Sequence, residues 1–362
     1  MMIPINRPIL GLEEEELVLK VLRSGQLTNA SMAGGHMVKR FERSLAEYLG
    51  CKDVVVVSSG TAALQIALMA LNVGLGDEVL VPSFTFTATA NSVLAVGATP
   101  VFVDIDEYYT MDVEDARKKI TKRTKAIMPV HLYGHVAEMR AIRELAKEYS
   151  LIVIEDAAQA LGSKYEGRPV GLLGEAGCFS FHPSKIITTG EGGAISTNDE
   201  ELARLARMIR NHGMVKGYDT CRLGLNFRMS EIHAAIGVAQ MIKLEDFLKK
   251  RRENARRLRE LLDGIDGIKL PEERPNTVYN WYLFTIASPK REKMRKELEK
   301  AGIGARIYYE TPVHMLPLFK GKVRLPMTER MAKEVLSLPV HPMVNEEDLE
   351  RTALAVRTTL KP

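Results

Sequence analysis

A chain of 362 residues exceeds what a single hydrophobic core usually sustains, so two domains are expected, with room for a deep cleft. Hydrophobic residues at 46% and charged residues at 27% describe an ordinary folded protein and exclude disordered or collagen-like character. A formal charge of +4, spread along the chain, argues against nucleic acid as a partner, and no apolar run reaches the roughly 18 residues of a membrane span.

In chain order, 41–49 reads as a helix, and the β-branched run 54–57 leads through Ser58-Ser59-Gly60-Thr61 into helix-favouring residues at 62–71. That strand, tight loop and helix recur: a strand at 78–81, a helix at 87–96, strands at 100–103 and 126–130, a helix at 139–149 and a strand at 152–155. Such alternation predicts an α/β domain with a mostly parallel central sheet. Strands at 178–181 and 193–197 flank the loop 182–192, and a helix at 200–211 follows. Ser230 is a candidate N-cap for a long helix running toward Leu262. Its basic stretch 249–252 is interleaved with apolar residues at helical spacing and reads as a solvated face. The character changes near Leu244, which predicts a large domain over 1–243 and a smaller C-terminal α+β domain over 244–362. The latter holds a strand at 282–286, a helix at 291–301, a loop rich in Tyr, His and Pro, and a last helix from Asn345.

Ligands of open α/β sheets sit at the carboxyl ends of the strands, so the residues just after each strand are the candidates. Ser58-Ser59-Gly60-Thr61 opens a helix, where free N–H groups suit a phosphate, although strand-to-helix turns of this kind also occur without ligands. Pro82-Ser83-Phe84-Thr85-Phe86 offers two aromatics for stacking or for the core, and the residues do not say which. Asp156 ends a buried apolar strand, where a carboxylate needs a cation such as a protonated pyridine nitrogen, unless it simply caps a helix. Lys185 stands alone in a glycine-rich loop, where it is either a solvated bystander or an amine that condenses with an aldehyde. Asn226 and Arg228 precede a helix in a loop able to reach an anion. His131 and His135 stand four apart with Gly134 between them, a poor helical zinc pair. The three cysteines, Cys51, Cys178 and Cys221, suggest neither disulfides nor zinc.

Taken in order, S-S-G-T-A-A, P-S-F-T-F-x-A-T, V-F-V-D-I-D, P-V-H-L-Y-G, I-E-D-A-A-Q-A, G-x-F-S-F-H-P-x-K, T-T-G-E-G-G and N-F-R-M-S-E-I span nearly the whole chain. The set resembles the sugar-nucleotide aminotransferases of the DegT/StrS type. That resemblance implies the aspartate aminotransferase-like fold of type I, a homodimer with shared active sites, and pyridoxal 5'-phosphate (PLP) as cofactor. It implies Lys185 as the Schiff-base lysine, Asp156 at the pyridine nitrogen, Gln159 near the ring hydroxyl and Phe86 on the ring. Ser59, Gly60, Thr61 and Ser180 fall at the phosphate, and Asn226 at the phosphate of the neighbouring subunit's cofactor. It further implies an amino-acid donor, glutamate in most relatives, and a nucleotide-linked keto sugar as acceptor; a cytoplasmic location is expected from the cysteine usage and the absence of a signal-like start over 1–8.

The segment from Arg306 to His314 resembles the family's substrate loop, H-Y-P-x-P-x-H, but Tyr308 and Glu310 depart from it. Tyr309 and His314, with Arg228, are the substrate-binding candidates. Two other readings compete: an aminotransferase acting on a non-nucleotide keto-cyclitol, and a PLP-bound regulatory protein without turnover. A nucleotide-binding oxidoreductase lacks its glycine fingerprint, because Gly60 stands alone in its loop.

Overall fold

The computed structural model describes residues 2–319 and 323–360. Its main sheet holds β1 (Asp53–Val57), β2 (Glu78–Pro82), β3 (Thr99–Val103), β4 (Thr124–Ile127), β5 (Ile152–Asp156), β6 (Ala176–Ser180) and β7 (Gly193–Thr197). They lie in the order β1-β7-β6-β5-β4-β2-β3. Pairing is parallel from β3 through β6, and only β7 runs antiparallel to its neighbours β6 and β1. The expected mostly parallel α/β architecture is therefore present.

Alternation along β1 shows how helices cover both faces. Val54 and Val56 join the core that contains Phe41 and Leu45 of the helix His36–Leu49. Val55 and Val57 point the other way, into the core formed with the helices Gly60–Ala70 and Glu200–Arg210. A sheet buried on both faces is what makes β1 a continuous run of valines. Because β1 and β6 both oppose β7, they point the same way as β2 and β5. The ends after Val57, Pro82, Asp156 and Ser180 therefore open on one edge.

Ser230 accepts from His233 N (3.3 Å) and caps the single 32-residue helix Glu231–Leu262, which runs unbroken through position 244. Beyond it, β8 (Phe284–Ala287) and β9 (Val335–Leu338) pair antiparallel, with the helices Arg291–Lys300 and Glu346–Leu360 beside them. One expectation fails within the long helix. Arg251, read as part of a solvated face, is only 2% exposed. Among the described residues no helix is long and apolar enough to cross a membrane.

Candidate active site

A cavity of about 350 Å³ lies at the carboxyl edge of the sheet, and Ser59, Gly60, Thr61, Phe86, Asp156, Gln159, Ser180 and Lys185 all line it, with Tyr309. A larger groove of about 670 Å³ lies between the helix Met139–Tyr149 and residues 165–175; it contains neither Lys185 nor Asp156, so size alone does not locate the chemistry.

The turn after β1 is built for close approach. Ser59 Oγ accepts from Ala62 N (3.1 Å) and caps the helix Gly60–Ala70, which leaves the N–H groups of its first turn at the cavity. A Cβ at Gly60 would stand 2.8 Å from Ser180 Cβ, so only glycine keeps β6 and this helix start together. A helix N-terminus with Ser and Thr hydroxyls beside it suits a dianionic phosphate.

Asp156, the last residue of β5, is 5% exposed. Its hydrogen bonds come from neutral donors, Thr89 Oγ1 to Oδ2 (2.7 Å) and Ala158 N to Oδ1 (3.2 Å). Burial pushes its carboxyl above the ordinary range, against the pull of those two donors and of Lys185. Such a group favours a cationic neighbour. The alternative of a helix cap falls away, because no helix follows Asp156.

The two aromatics after β2 separate clearly. Phe84 is fully buried, edge-on to Tyr133, whereas Phe86 is 55% exposed at the cavity with its ring 6.0 Å from that of Tyr309. Gln159 accepts from Tyr133 N (2.7 Å) and donates to the Tyr309 hydroxyl (3.3 Å). Lys185 sits half-buried, its Nζ 5.1 Å from the centre of the Tyr282 ring.

Three expected residues lie elsewhere. His314 does not reach the cavity: it is buried, with Nδ1 2.6 Å from Ser83 Oγ and its own N–H donating to the same oxygen (3.0 Å). Expected as a substrate ligand, His314 stands in the structure as a clasp on the end of β2. Arg228 donates to Asn211 Oδ1 (2.7 Å), and Asn226 is exposed on the surface; neither lines this protomer's cavity. His131 and His135 are engaged separately, with Glu155 (3.0 Å) and with Tyr108 O (3.3 Å). Thr89 and Tyr282 join the site without having been singled out, and Tyr308, noted only as a departure in the substrate loop, lines the cavity as well. Thr89 stands inside a quoted motif, but Tyr282 comes from the C-terminal part with no local signal.

The residues present fit PLP. There is a glycine-dependent cradle for a phosphate, an open aromatic face for a flat ring, a buried carboxylate for a ring nitrogen, and an amine.

A model of the DegT/DnrJ/EryC1/StrS aminotransferase family matches residues 8–357. The chain is 43% identical to the UDP-N-acetyl-3-dehydro-alpha-D-glucosamine 3-aminotransferase of Acidithiobacillus ferrooxidans, over 92% of this chain and 91% of that protein. It is 40% identical to a pleiotropic regulatory protein of Geobacillus stearothermophilus, over 95% of each. Its fold superimposes on the crystal structure of S. venezuelae DesV with a TM-score of 0.92, at 39% identity, covering 97% of this chain and 95% of that one.

Proposed function

The chain belongs to the DegT/DnrJ/EryC1/StrS aminotransferase family, and on that premise we propose that it is a PLP-dependent aminotransferase moving an amino group from an amino acid, glutamate by preference, to a keto group of a nucleotide-linked sugar. The observation that carries this reading is the convergence of Lys185, Asp156, Phe86 and the Ser59-Gly60-Thr61 helix start on one cavity. PLP, when bound, supplies the aldehyde that carries the amino group and the ring that withdraws electrons from the reacting carbon.

The rest is the protein's own work. Lys185 would be the covalent attachment point, and its amine would move the proton at the reacting carbon. Asp156 would hold a positive charge at the ring nitrogen, since a buried carboxylate favours the protonated form of its neighbour. Gly60, Thr61 and Ser180 would hold the phosphate, Phe86 would cover one ring face, and Gln159, fixed by Tyr133 N, would serve the ring hydroxyl. Tyr309, bonded to Gln159, would be available to the substrate in the same cavity.

A homodimer with shared sites belongs to the same reading. Asn226 would serve the partner's cofactor, and the exposure of the neighbouring Leu223 (74%) and Leu225 (45%) supports an apolar surface awaiting cover there. The Tyr308 and Glu310 departures fall in the substrate loop and bear on which sugar is accepted.

The test is direct: supply PLP, glutamate and a panel of 3-keto and 4-keto nucleotide sugars, and look by mass spectrometry for the amino sugar. Product from at least one sugar is expected. A second reading, PLP binding without turnover, draws on the regulatory name of the Geobacillus relative. Under that reading the bound-cofactor spectrum stays unchanged when glutamate is added.

A further inference from the structure

The loop that carries Lys185 is held from behind by a segment the reaction leaves unused. Ile3 N donates to Gly302 O (2.8 Å) and Gly304 N donates to Ile3 O (2.7 Å), so the strap starts on the C-terminal part of the molecule. His341 Nε2 lies 3.0 Å from Pro4 O, and Gln240 Nε2 donates to Ile9 O (2.8 Å). Between these anchors, Asn6 Nδ2 donates to the carbonyl of Ser184 (2.8 Å), the residue immediately before Lys185.

Asn6 is itself gripped by a cation. Its Oδ1 accepts from Arg251 (2.6 Å), whose other bond goes to the carbonyl of Tyr282 (3.1 Å), and the Tyr282 ring lies beside Lys185 Nζ. Arg251 is thus buried with neutral oxygens as its partners, and its Nε has none among the described residues. Burying a charge this way costs stability. What it gives in return is two charge-assisted hydrogen bonds, each roughly twice as strong as a neutral one, to groups on either side of the lysine.

We propose that Asn6 is a positioning residue for Lys185: backed by Arg251, it fixes the Ser184 backbone and with it the point from which the lysine amine reaches into the cavity. The proposal rests on the reading of Lys185 as PLP attachment point. A lysine side chain is long and freely rotating, so its Cα must be held by the loop, and a misplacement of about 1 Å can cost on the order of 100-fold in rate.

The test compares PLP-loaded wild type, Asn6→Ala, Asn6→Asp and Ile3→Ala by steady-state kinetics, visible circular dichroism of the bound cofactor, and Tm. Asn6→Ala is expected to lower kcat about 10- to 100-fold, to leave the donor KM within about twofold, and to weaken the visible dichroic band. Asn6→Asp keeps the acceptor facing Arg251 but loses the donor to Ser184, so it holds or raises Tm while keeping the kcat deficit. Ile3→Ala disturbs the strap at its far end and lowers Tm with kcat and dichroism unchanged. The proposal is overturned if the Asn6 variants match wild type in kcat and dichroism, or if kcat merely follows Tm across all three variants. A wild-type protein that takes up no PLP chromophore overturns the Lys185 reading and this proposal together, whereas a chromophore unaltered in both Asn6 variants overturns this proposal alone.

Discussion

On the proposed reading, Asp156 sets function against stability at a single carboxyl group. Its ordinary value is 3.8, and burial raises it in the folded protein. Between those two values the native state keeps a proton that the unfolded chain has released, so the cofactor-free protein loses stability as pH rises through that window. Asp156→Asn removes this burden. Calorimetry of the cofactor-free variant near neutral pH should show a Tm raised by about 2 °C or more, a gain that vanishes below about pH 3.8. Turnover should move the opposite way, falling at least about 100-fold, because the neutral amide no longer stabilises a charged ring nitrogen. A variant that is neither more stable nor slower would contradict the assignment. Asp156 and Lys185 stand out in the sequence, one closing an apolar strand and the other alone in a glycine-rich loop, but the residues by themselves also allow a helix cap and a solvated bystander, and the family pattern chooses between the readings. Phe86 is not legible without the family pattern: two residues from Phe84, it differs only in which ring the fold leaves open.

At the level of elements, the helix start after β1 depends on one missing side chain. Gly60→Ala places a methyl group 2.8 Å from Ser180 Cβ, which spreads the cradle apart. Equilibrium titration with PLP should show affinity reduced about 10-fold or more, with the circular dichroism of the backbone unchanged. The clasp at the end of β2 is a matter of folding instead. Ser83→Ala strips His314 Nδ1 of its partner inside the protein, a loss of about 1–3 kcal/mol that thermal melts should register as a lower Tm. Strands such as β1 and β5 are readable because burial on both faces writes them as short β-branched runs. Strand order is not, since the reversal of β7 between β1 and β6 depends on partners far apart in the chain. The helix Leu12–Ser24 is hard to read from the sequence for a physical reason: four consecutive glutamates, Glu13 to Glu16, mask its apolar stripe, and one of them, Glu14, is buried by bonds to Gln240 and Lys243. β9 follows directly on the helix Pro326–Glu334, so no turn marks its beginning.

At the scale of the molecule, the cavity of one protomer brings together the candidate cofactor residues except Asn226, which the proposed function assigns to the partner's site. If each site borrows Asn226 from its partner, mixing an inactive Lys185→Ala protein with an inactive Asn226→Asp protein creates hybrid dimers with one intact site. Refolding the two together in equal amounts should restore about a quarter of wild-type activity, and no recovery would contradict a shared site. The central claim itself is chemical: one lysine amine holds the coenzyme. Protein incubated with PLP, reduced with borohydride and digested should yield a single phosphopyridoxyl-labelled peptide carrying the mass increment on Lys185. Label spread over surface lysines, or a Lys185 peptide left unmodified, would contradict the account.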